Sequence, residues 1–365
     1  MAIYKTSAGW RADYTYKDAS GKYKKKSKTG FKTKRLADEW LTKVKNDSEK
    51  IKNPYHDWNF VDYFDMNMNL KIDSGIKPAT KDAWRAVREY IVIKYFADIK
   101  ISELTREKYQ RFLNEYSIGH TANTVKKRHQ IINSIIQQAF HDGIISIDPT
   151  YNVKITGTKD SKDASEKFLE ADELIKLIEY FSQEKRLSDN SALSSFMIVL
   201  IAYSGLRAGE ALALTRDDIN LEKQTISINK TKGRDGINTT PKTKNSIREI
   251  KMPSNFFEIY NLFISHKHTW NKNYELFDGR RIASNPNKTL ELYELKNNFK
   301  NIVSIHGLRH SHASYLLSKG INIAYISKRL GHANIAITQT IYIHLLNEQA
   351  LKEEQRTINM LNNMI

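Results

Sequence analysis

The stretch "HGLRHSHASYLLSKG" (306–320) sets three histidines and an arginine within seven positions, just ahead of an apolar helical pattern. A metal site, a phosphate clamp and a solvated helix end each read differently here. His306 and His310 are four apart and share a helix face, as zinc ligands can. The residue after His306 is glycine, however, not the glutamate of a zincin helix, and no acidic ligand lies nearby. Read as a phosphate site, His306 and Arg309 are three apart, so one helical turn points both the same way. Guanidinium suits phosphate because its planar fork donates two parallel hydrogen bonds and stays charged. Alone, such a pair at a helix end is commonly just solvated, and the rest of the chain has to decide.

The chain has 365 residues, 40% of them hydrophobic, enough for two or three domains with real cores. Its formal net charge of +17 favours a polyanionic partner, nucleic acid or an anionic membrane. The longest apolar run, "FMIVLIAY" (196–203), is far shorter than a spanning helix and reads as a core element. "MAIYKTSAGW" lacks a signal-peptide apolar stretch. There is no cysteine, which excludes disulfides and thiolate metal sites and permits a reducing cytoplasm. Nucleic acid in a cytosol is the leading expectation, with no membrane partner.

The charge is uneven. Residues 1–55 hold fifteen Lys/Arg against six Asp/Glu. "WRADYTY" (10–16) alternates, with Trp10, Ala12, Tyr14 and Tyr16 on one face, and "YKKKSKT" (23–29) follows a turn as a second strand. "GFKTKRLADEWLTKVKND" (30–47) then changes period: Thr33 is a candidate N-cap, and Ala37, Trp40, Leu41 and Val44 fall on one helical stripe. A basic module of sheet plus helix with exposed aromatics points to a DNA reader; the bland alternative is a solvated basic face. Residues 56–155 read as helical, with Ile131, Ile132, Ile135, Ile136, Ala139 and Phe140 at helical spacing before Asp142-Gly143. "KITGTKDSKDASEK" (154–167) is polar and reads as a linker over 156–167. From 168 to 365 helices alternate with short β runs at 224–230, 238–244 and 247–253.

Three further segments bear on the histidines. "YSGLRAGEALAL" (203–214) places Arg207 after a glycine turn at a helix start. "RLGHANIAITQTIYIHL" (329–345) places His332 after another glycine turn and Tyr342 ten residues on. "TPKTKNSIREI" (240–250) offers Lys242 beside a turn. Taken in order, Arg…Lys…His-x-x-Arg…His…Tyr resembles the catalytic domain of the tyrosine recombinases, the lambda-integrase family. "NSIIQQAFHDGIISIDPTYNVKI" resembles that family's helical core-binding domain. "GFKTKRLADEW" resembles the arm-binding module of integrases from temperate phages and integrative conjugative elements of low-GC Gram-positive hosts.

The resemblance implies a mainly α fold with small β-sheets: an arm-type DNA-binding domain (1–55) with a three-stranded sheet and helix, a helical core-type domain (56–155) and a mixed catalytic domain (168–365) with a C-terminal tail. It implies a site-specific recombinase that integrates and excises a mobile element through a 3′-phosphotyrosine and a Holliday junction, with no cofactor and no metal. Tyr342 would be the nucleophile. Arg207 and Arg309 would hold the phosphate oxygens, and His306 and His332 would bond the phosphate and help move the tyrosine proton. Lys242 would protonate the departing 5′ oxygen, though Lys232 and Lys244 stand close enough in the same lysine-rich hairpin for a register shift to exchange them. His310 and His312 read as supporting residues, and Glu210 as orienting a neighbour. The implied partners are double-stranded DNA at core-type and arm-type sites, three further copies of the chain in a tetramer, a directionality factor and a host DNA-bending protein; the implied place is the bacterial nucleoid. The tail carries an apolar stripe at Leu346, Ala350, Leu351, Met360 and Leu361, which either packs on its own domain or, as such tails often do in the family, docks on a neighbouring subunit. A chromosome-dimer resolvase lacks the basic arm module, a catalytically dead regulator would not keep six matching positions, and a type IB topoisomerase shares the chemistry without resolving junctions.

Overall fold

The computed structural model describes residues 2–17, 23–52, 55–160, 163–233, 235–241, 244–271, 273–279 and 284–362. The chain divides into two compact units, Met1–Ser161 and Lys162–Ile365.

The first unit opens with an antiparallel sheet of β1 (Ala2–Thr6), β2 (Gly9–Lys17) and β3 (Tyr23–Phe31) in that order. Helix α1 (Lys34–Lys52) is capped by Thr33, whose hydroxyl accepts from the Leu36 amide at 3.3 Å. Its stripe of Ala37, Leu41 and Val44 buries against Ala12 and Tyr14. Alternation along β2 therefore works as expected, but it turns the aromatics inward: Tyr14 is buried, and Trp10 and Tyr16 pack partly buried against the same cluster. The exposed aromatics are instead Tyr4 and Tyr23. A five-residue core cannot spare its large apolar side chains for solvent.

The helices α2 (Phe60–Asp73), α3 (Pro78–Val87), α4 (Ile93–Phe96), α5 (Arg106–Ser117) and α6 (Ala122–His141) follow, with a single π-helical turn, Arg88–Val92, joining α3 to α4. Phe60, Phe64, Phe96, Phe112, Ile132 and Ile136 share one core. Thr105 and Thr121 cap α5 and α6 through their hydroxyls. Phe140, expected on the buried stripe of α6, is exposed, because it sits one helical step past Ala139 at the stripe's edge. Thr158 and Lys159, expected in a linker, hydrogen-bond to the α5–α6 turn: Thr158 Oγ1 accepts from the Gly119 amide at 2.8 Å and the Lys159 amide donates to His120 O at 3.1 Å. A polar segment without a core satisfied its backbone on a neighbouring turn instead.

The second unit begins at α7 (Ala171–Phe181) and α8 (Glu184–Ser188). Helix α9 (Ala192–Ser204) carries "FMIVLIAY" and is buried on nearly every side. It ends at Gly205, whose φ of 68° is the left-handed cap conformation, and α10 (Ala208–Ala213) starts three residues later. The sheet of β4 (Ile219–Asn220), β5 (Thr225–Ile228) and β8 (Arg248–Lys251) is antiparallel, and β6 (Thr231–Lys232) pairs with β7 (Asn238–Thr239) as a separate hairpin. The β run expected over 238–244 is only two residues long, and residues 244–246 form a 3-10 turn. Helices α11 (Ser254–Ser265), α12 (Ser284–Lys296), α13 (Ile305–Ser318), α14 (Ile323–Leu330) and α15 (Ile335–Asn362) complete the unit. Among the described residues no helix is long and apolar enough to cross a membrane.

Candidate active site

Arg207 stands at the N-cap of α10, where the αL turn at Gly205 has reversed the chain. A Cβ at Gly205 would come within 2.7 Å of His312 Cδ2 and Leu330 Cδ2, so the glycine also lets α13 and α14 approach α9. Arg207 Nη1 donates to Glu210 Oε1 at 2.8 Å, and its amide to Glu210 Oε2 at 2.9 Å. Glu210 is buried, and Arg248 on β8 binds it from the other side, Nη2 to Oε2 at 3.0 Å. Burial pushes this carboxyl's pKa up, but the Arg248 hydrogen bond and the charges of Arg248 and Arg207 outweigh it, and the net shift is down. Glu210 is thus an ionised brace between two arginines.

Three arginines then converge on the C-terminal end of α14. Arg248 Nε donates to Arg329 O at 2.6 Å, Arg309 Nη2 to Leu330 O at 2.8 Å and Arg207 Nη2 to Gly331 O at 3.1 Å. Three consecutive carbonyls, left without helical partners and at the negative end of the helix dipole, each receive a guanidinium. Arg309 is almost wholly buried and also donates to Gly205 O at 2.7 Å. Burial, and then the nearby Arg207, bring its pKa down to about 9, which leaves it charged at neutral pH. The cluster is short of negative charge, as a site for an anion must be before the anion arrives.

The histidines ring this cluster. His306 and His310, one turn apart on α13, meet edge to face with ring centroids 5.0 Å apart. Burial, then Arg309 and Arg207, lower the pKa of His306. His332 follows Gly331, and its Nδ1 bonds Thr338 Oγ1 at 2.7 Å. Burial, and then Arg309, bring His332 down to about 4. His312 is set apart: its Nδ1 donates to Ala202 O at 2.9 Å and its Nε2 accepts from Arg329 Nε at 3.2 Å, which fastens α13 to α9 and α14. Tyr342 lies inside α15 at a kink, with φ −111° and ψ 19°. It is 1% exposed, and its hydroxyl bonds His310 Nδ1 at 3.0 Å. Burial raises the pKa of that hydroxyl.

Arg207, His306, Arg309, His332 and Tyr342 are therefore gathered from α10, α13, the α14–α15 turn and α15. Lys242 lies outside the described residues. Of its two competitors, Lys232 is buried and its Nζ is 2.5 Å from Glu275 Oε1; of the Lys244 side chain nothing is described. Sequence reasoning missed Arg248, Arg329 and Thr338, and the contact of His310 with the Tyr342 hydroxyl. Arg248 left a signal: it lies two residues from buried Ile250 on a strand, so both face inward, and a buried arginine needs an acid.

Residues 167–349 match the family model described as the phage integrase family. The chain belongs to that family. Residues 2–48 match an arm DNA-binding domain and residues 59–155 a phage integrase SAM-like domain. The integrase is 26% identical over 310 residues to the integrase of Staphylococcus phage L54a, covering 78% of this chain and 87% of the relative. It is 29% identical over 280 residues to the ICEBs1 integrase of Bacillus subtilis (strain 168), covering 71% and 73%. The fold is that of the Tn1549 transposon integrase solved with a circular intermediate DNA, with a TM-score of 0.67, 17% identity and coverage of 82% and 99%. A lambda integrase dimer bound to a core site matches with a TM-score of 0.54 at 15% identity over 93% of each chain. The protein is thus a tyrosine recombinase, an enzyme that cleaves and rejoins DNA.

In this integrase the arm module presents one sheet face free of α1. Asp13 sits at its centre, accepting from Arg11 Nε at 2.9 Å and Tyr4 Oη at 2.8 Å, with Lys25 Nζ at 2.8 Å. Lys25 and then Arg11 hold the Asp13 carboxyl below the usual carboxylate range. One carboxylate thereby fixes two cations and a phenol across three strands.

Proposed function

We propose that this integrase inserts and, with a directionality factor, excises a mobile element. Four copies would act on two duplexes and pass through a 3′-phosphotyrosine and a Holliday junction, with a host protein bending the DNA. Residues 1–55 would read arm-type sites, 56–155 core-type sites, and 168–365 would carry the chemistry, on DNA of the bacterial nucleoid. What carries the reading is the convergence of Arg207 and Arg309 with His306, His332 and Tyr342 around one cationic centre.

A scissile phosphate drawn into that centre meets the guanidinium of Arg207, which is the more exposed of the pair, and the positive field of Arg309. As the Tyr342 oxygen approaches phosphorus in line, charge builds on the non-bridging oxygens, where fixed donors stabilise the transition state more than the ground state. His306 and His332, held neutral by burial and neighbouring cations, donate hydrogen bonds to those oxygens. Lys242 protonates the departing 5′ oxygen. The phosphodiester energy is kept in the tyrosine ester, so rejoining needs no ATP. The tail of α15 would dock on a neighbouring subunit; Ile358, Met360 and Leu361 stand exposed on its last turns.

The test is Tyr342→Phe on a nicked duplex carrying the element–chromosome junction. Wild type should form a covalent adduct, and the variant should bind the same DNA equally well and form none. An adduct trapped in the variant would overturn the assignment.

A further inference from the structure

We propose that His310 is a catalytic residue of this integrase: it takes the phenolic proton of Tyr342 during cleavage and returns it during rejoining. The inference rests on Tyr342 being the nucleophile. Among the described residues, the only side chain bonded to the Tyr342 hydroxyl is His310, through Nδ1 at 3.0 Å. The hydroxyl has one proton, and its second neighbour, the His310 carbonyl, is farther at 3.4 Å. The other histidines are engaged differently. His332 Nδ1 is held by Thr338 Oγ1 at 2.7 Å, and His306 turns its ring edge to face against His310, 5.0 Å away between centroids. Both are placed to meet a phosphate, and neither touches the phenol.

The reaction needs one tautomer of His310. With Nδ1 accepting from the phenol, the ring proton is on Nε2 and the imidazole is neutral. Its surroundings favour that state: burial first, then His306, Arg309 and Lys167, bring its pKa down to about 4. A base this weak is poorly matched to a phenol. The scissile phosphate changes the balance, because its negative charge beside Arg207 and Arg309 offsets the cations that depress His310. The residue then becomes a competent acceptor only when substrate is in place, which keeps the free enzyme from forming a phenolate.

The atoms balance without a co-reactant. The Tyr342 oxygen forms its bond to phosphorus, and its proton passes to His310 Nδ1, giving imidazolium. The phosphorus–O5′ bond breaks, and that oxygen leaves with a proton from the separate acid assigned to Lys242. In rejoining, the 5′ hydroxyl returns its proton to the amine left at the acid assigned to Lys242 and attacks phosphorus, the tyrosine–phosphorus bond breaks, and His310 returns its proton to the phenol.

The test uses the full chain and the nicked junction duplex, with single-turnover formation of the covalent adduct as the readout. His310→Asn keeps an acceptor near the Nδ1 position but cannot take a proton, and it should slow the step by roughly 10²–10⁴-fold with unchanged DNA affinity. Difluorotyrosine at position 342, whose hydroxyl ionises near neutral pH, should restore most of that rate in the His310→Asn background. It should change little in the presence of His310. A role in merely holding the ring would leave the defect uncorrected, since fluorination does not reposition the side chain. His310→Gln serves as the second variant, and retained core-site affinity certifies that each has folded. Cleavage by both variants within a few-fold of wild type, or a defect that fluorination fails to relieve, would overturn the proposal. Absence of any adduct in wild type, or its persistence in Tyr342→Phe, would instead overturn the nucleophile assignment.

Discussion

Arg248 shows how the site is held at the scale of single residues. Its guanidinium spans Glu210 and the carbonyl of Arg329, so it links the brace under Arg207 to the helix end that presents His332. Its side chain is 7% exposed and that of Glu210 is 3% exposed. Removing one partner of so buried a pair leaves a charge without its counter-ion, which costs about 3–5 kcal/mol. Arg248→Ala should lower the unfolding free energy from urea denaturation by an amount in that range and slow DNA cleavage. Arg248→Lys should recover only part of either, because an ammonium cannot bridge a carboxylate and a carbonyl with one planar fork. An unfolding free energy within about 1 kcal/mol of wild type would show that Arg207 alone holds Glu210. The inward-facing position of Arg248 was legible in "SIREI", but its acid, 38 residues away, was not. No spacing rule joins a strand residue to a helix cap in another part of the chain.

At the scale of elements, the turn from α9 to α10 decides where Arg207 stands. Gly205 at φ 68° both ends α9 and leaves room for His312 and Leu330. An alanine there meets two penalties together: a left-handed backbone, and a Cβ 2.7 Å from an imidazole already tied to Ala202 and Arg329. Gly205→Ala should cost roughly 1–3 kcal/mol, and it should depress cleavage more than core-site binding, because Arg207 and Arg309 both take their positions from this turn. Equal losses in binding and cleavage would place the effect elsewhere. The glycine turns before Arg207 and His332 could be recognised from the chain, as could the helical stripes of α1 and α6. The extent of the β6–β7 hairpin could not be: its pairing is two residues long, and β6 packs beside α10, where a Cβ on Gly209 would come within 2.7 Å of Thr231 Oγ1. Tertiary packing, not strand propensity, settles such a piece.

At the scale of the whole molecule, stability depends on the buried histidines staying neutral. His310 and His332 are held to about 4, and His312 to about 3, by burial first. An unfolded histidine takes up its proton near pH 6.5. Between that pH and about 4 the unfolded chain binds more protons than the folded one, so stability falls as pH falls. Each such histidine contributes about 1.4 kcal/mol per pH unit across the window. Glu210 acts in the same direction further down, because its lowered pKa adds stability that is lost as acid protonates it. The denaturant midpoint should therefore drop steadily from pH 7 to pH 5, above the range of ordinary carboxylates. His312→Gln, which can still accept from Arg329 and donate to Ala202, should reduce that slope by about one proton. A midpoint that is flat over the interval would show that the histidines are solvated.

The chemistry on offer, and its order along the chain, could be read without a fold. The basic first segment, the absence of cysteine, the two glycine turns and the motifs around Arg207, Arg309, His332 and Tyr342 are all local patterns, and local patterns survive without a fold. The aromatic alternation of "WRADYTY" was legible for the same reason, although which face it would bury depended on α1. The contacts came from tertiary packing. It placed the carbonyls of Arg329, Leu330 and Gly331 under three arginines from three different elements. It paired Lys232 with Glu275, and it set His310 against the Tyr342 hydroxyl in preference to His306. A helix of 3.6 residues per turn turns both histidines to the same side. Which of them reaches a phenol on α15 depends on where the kink at Tyr342 carries that hydroxyl, and a kink is a compromise among packed neighbours that no single segment encodes.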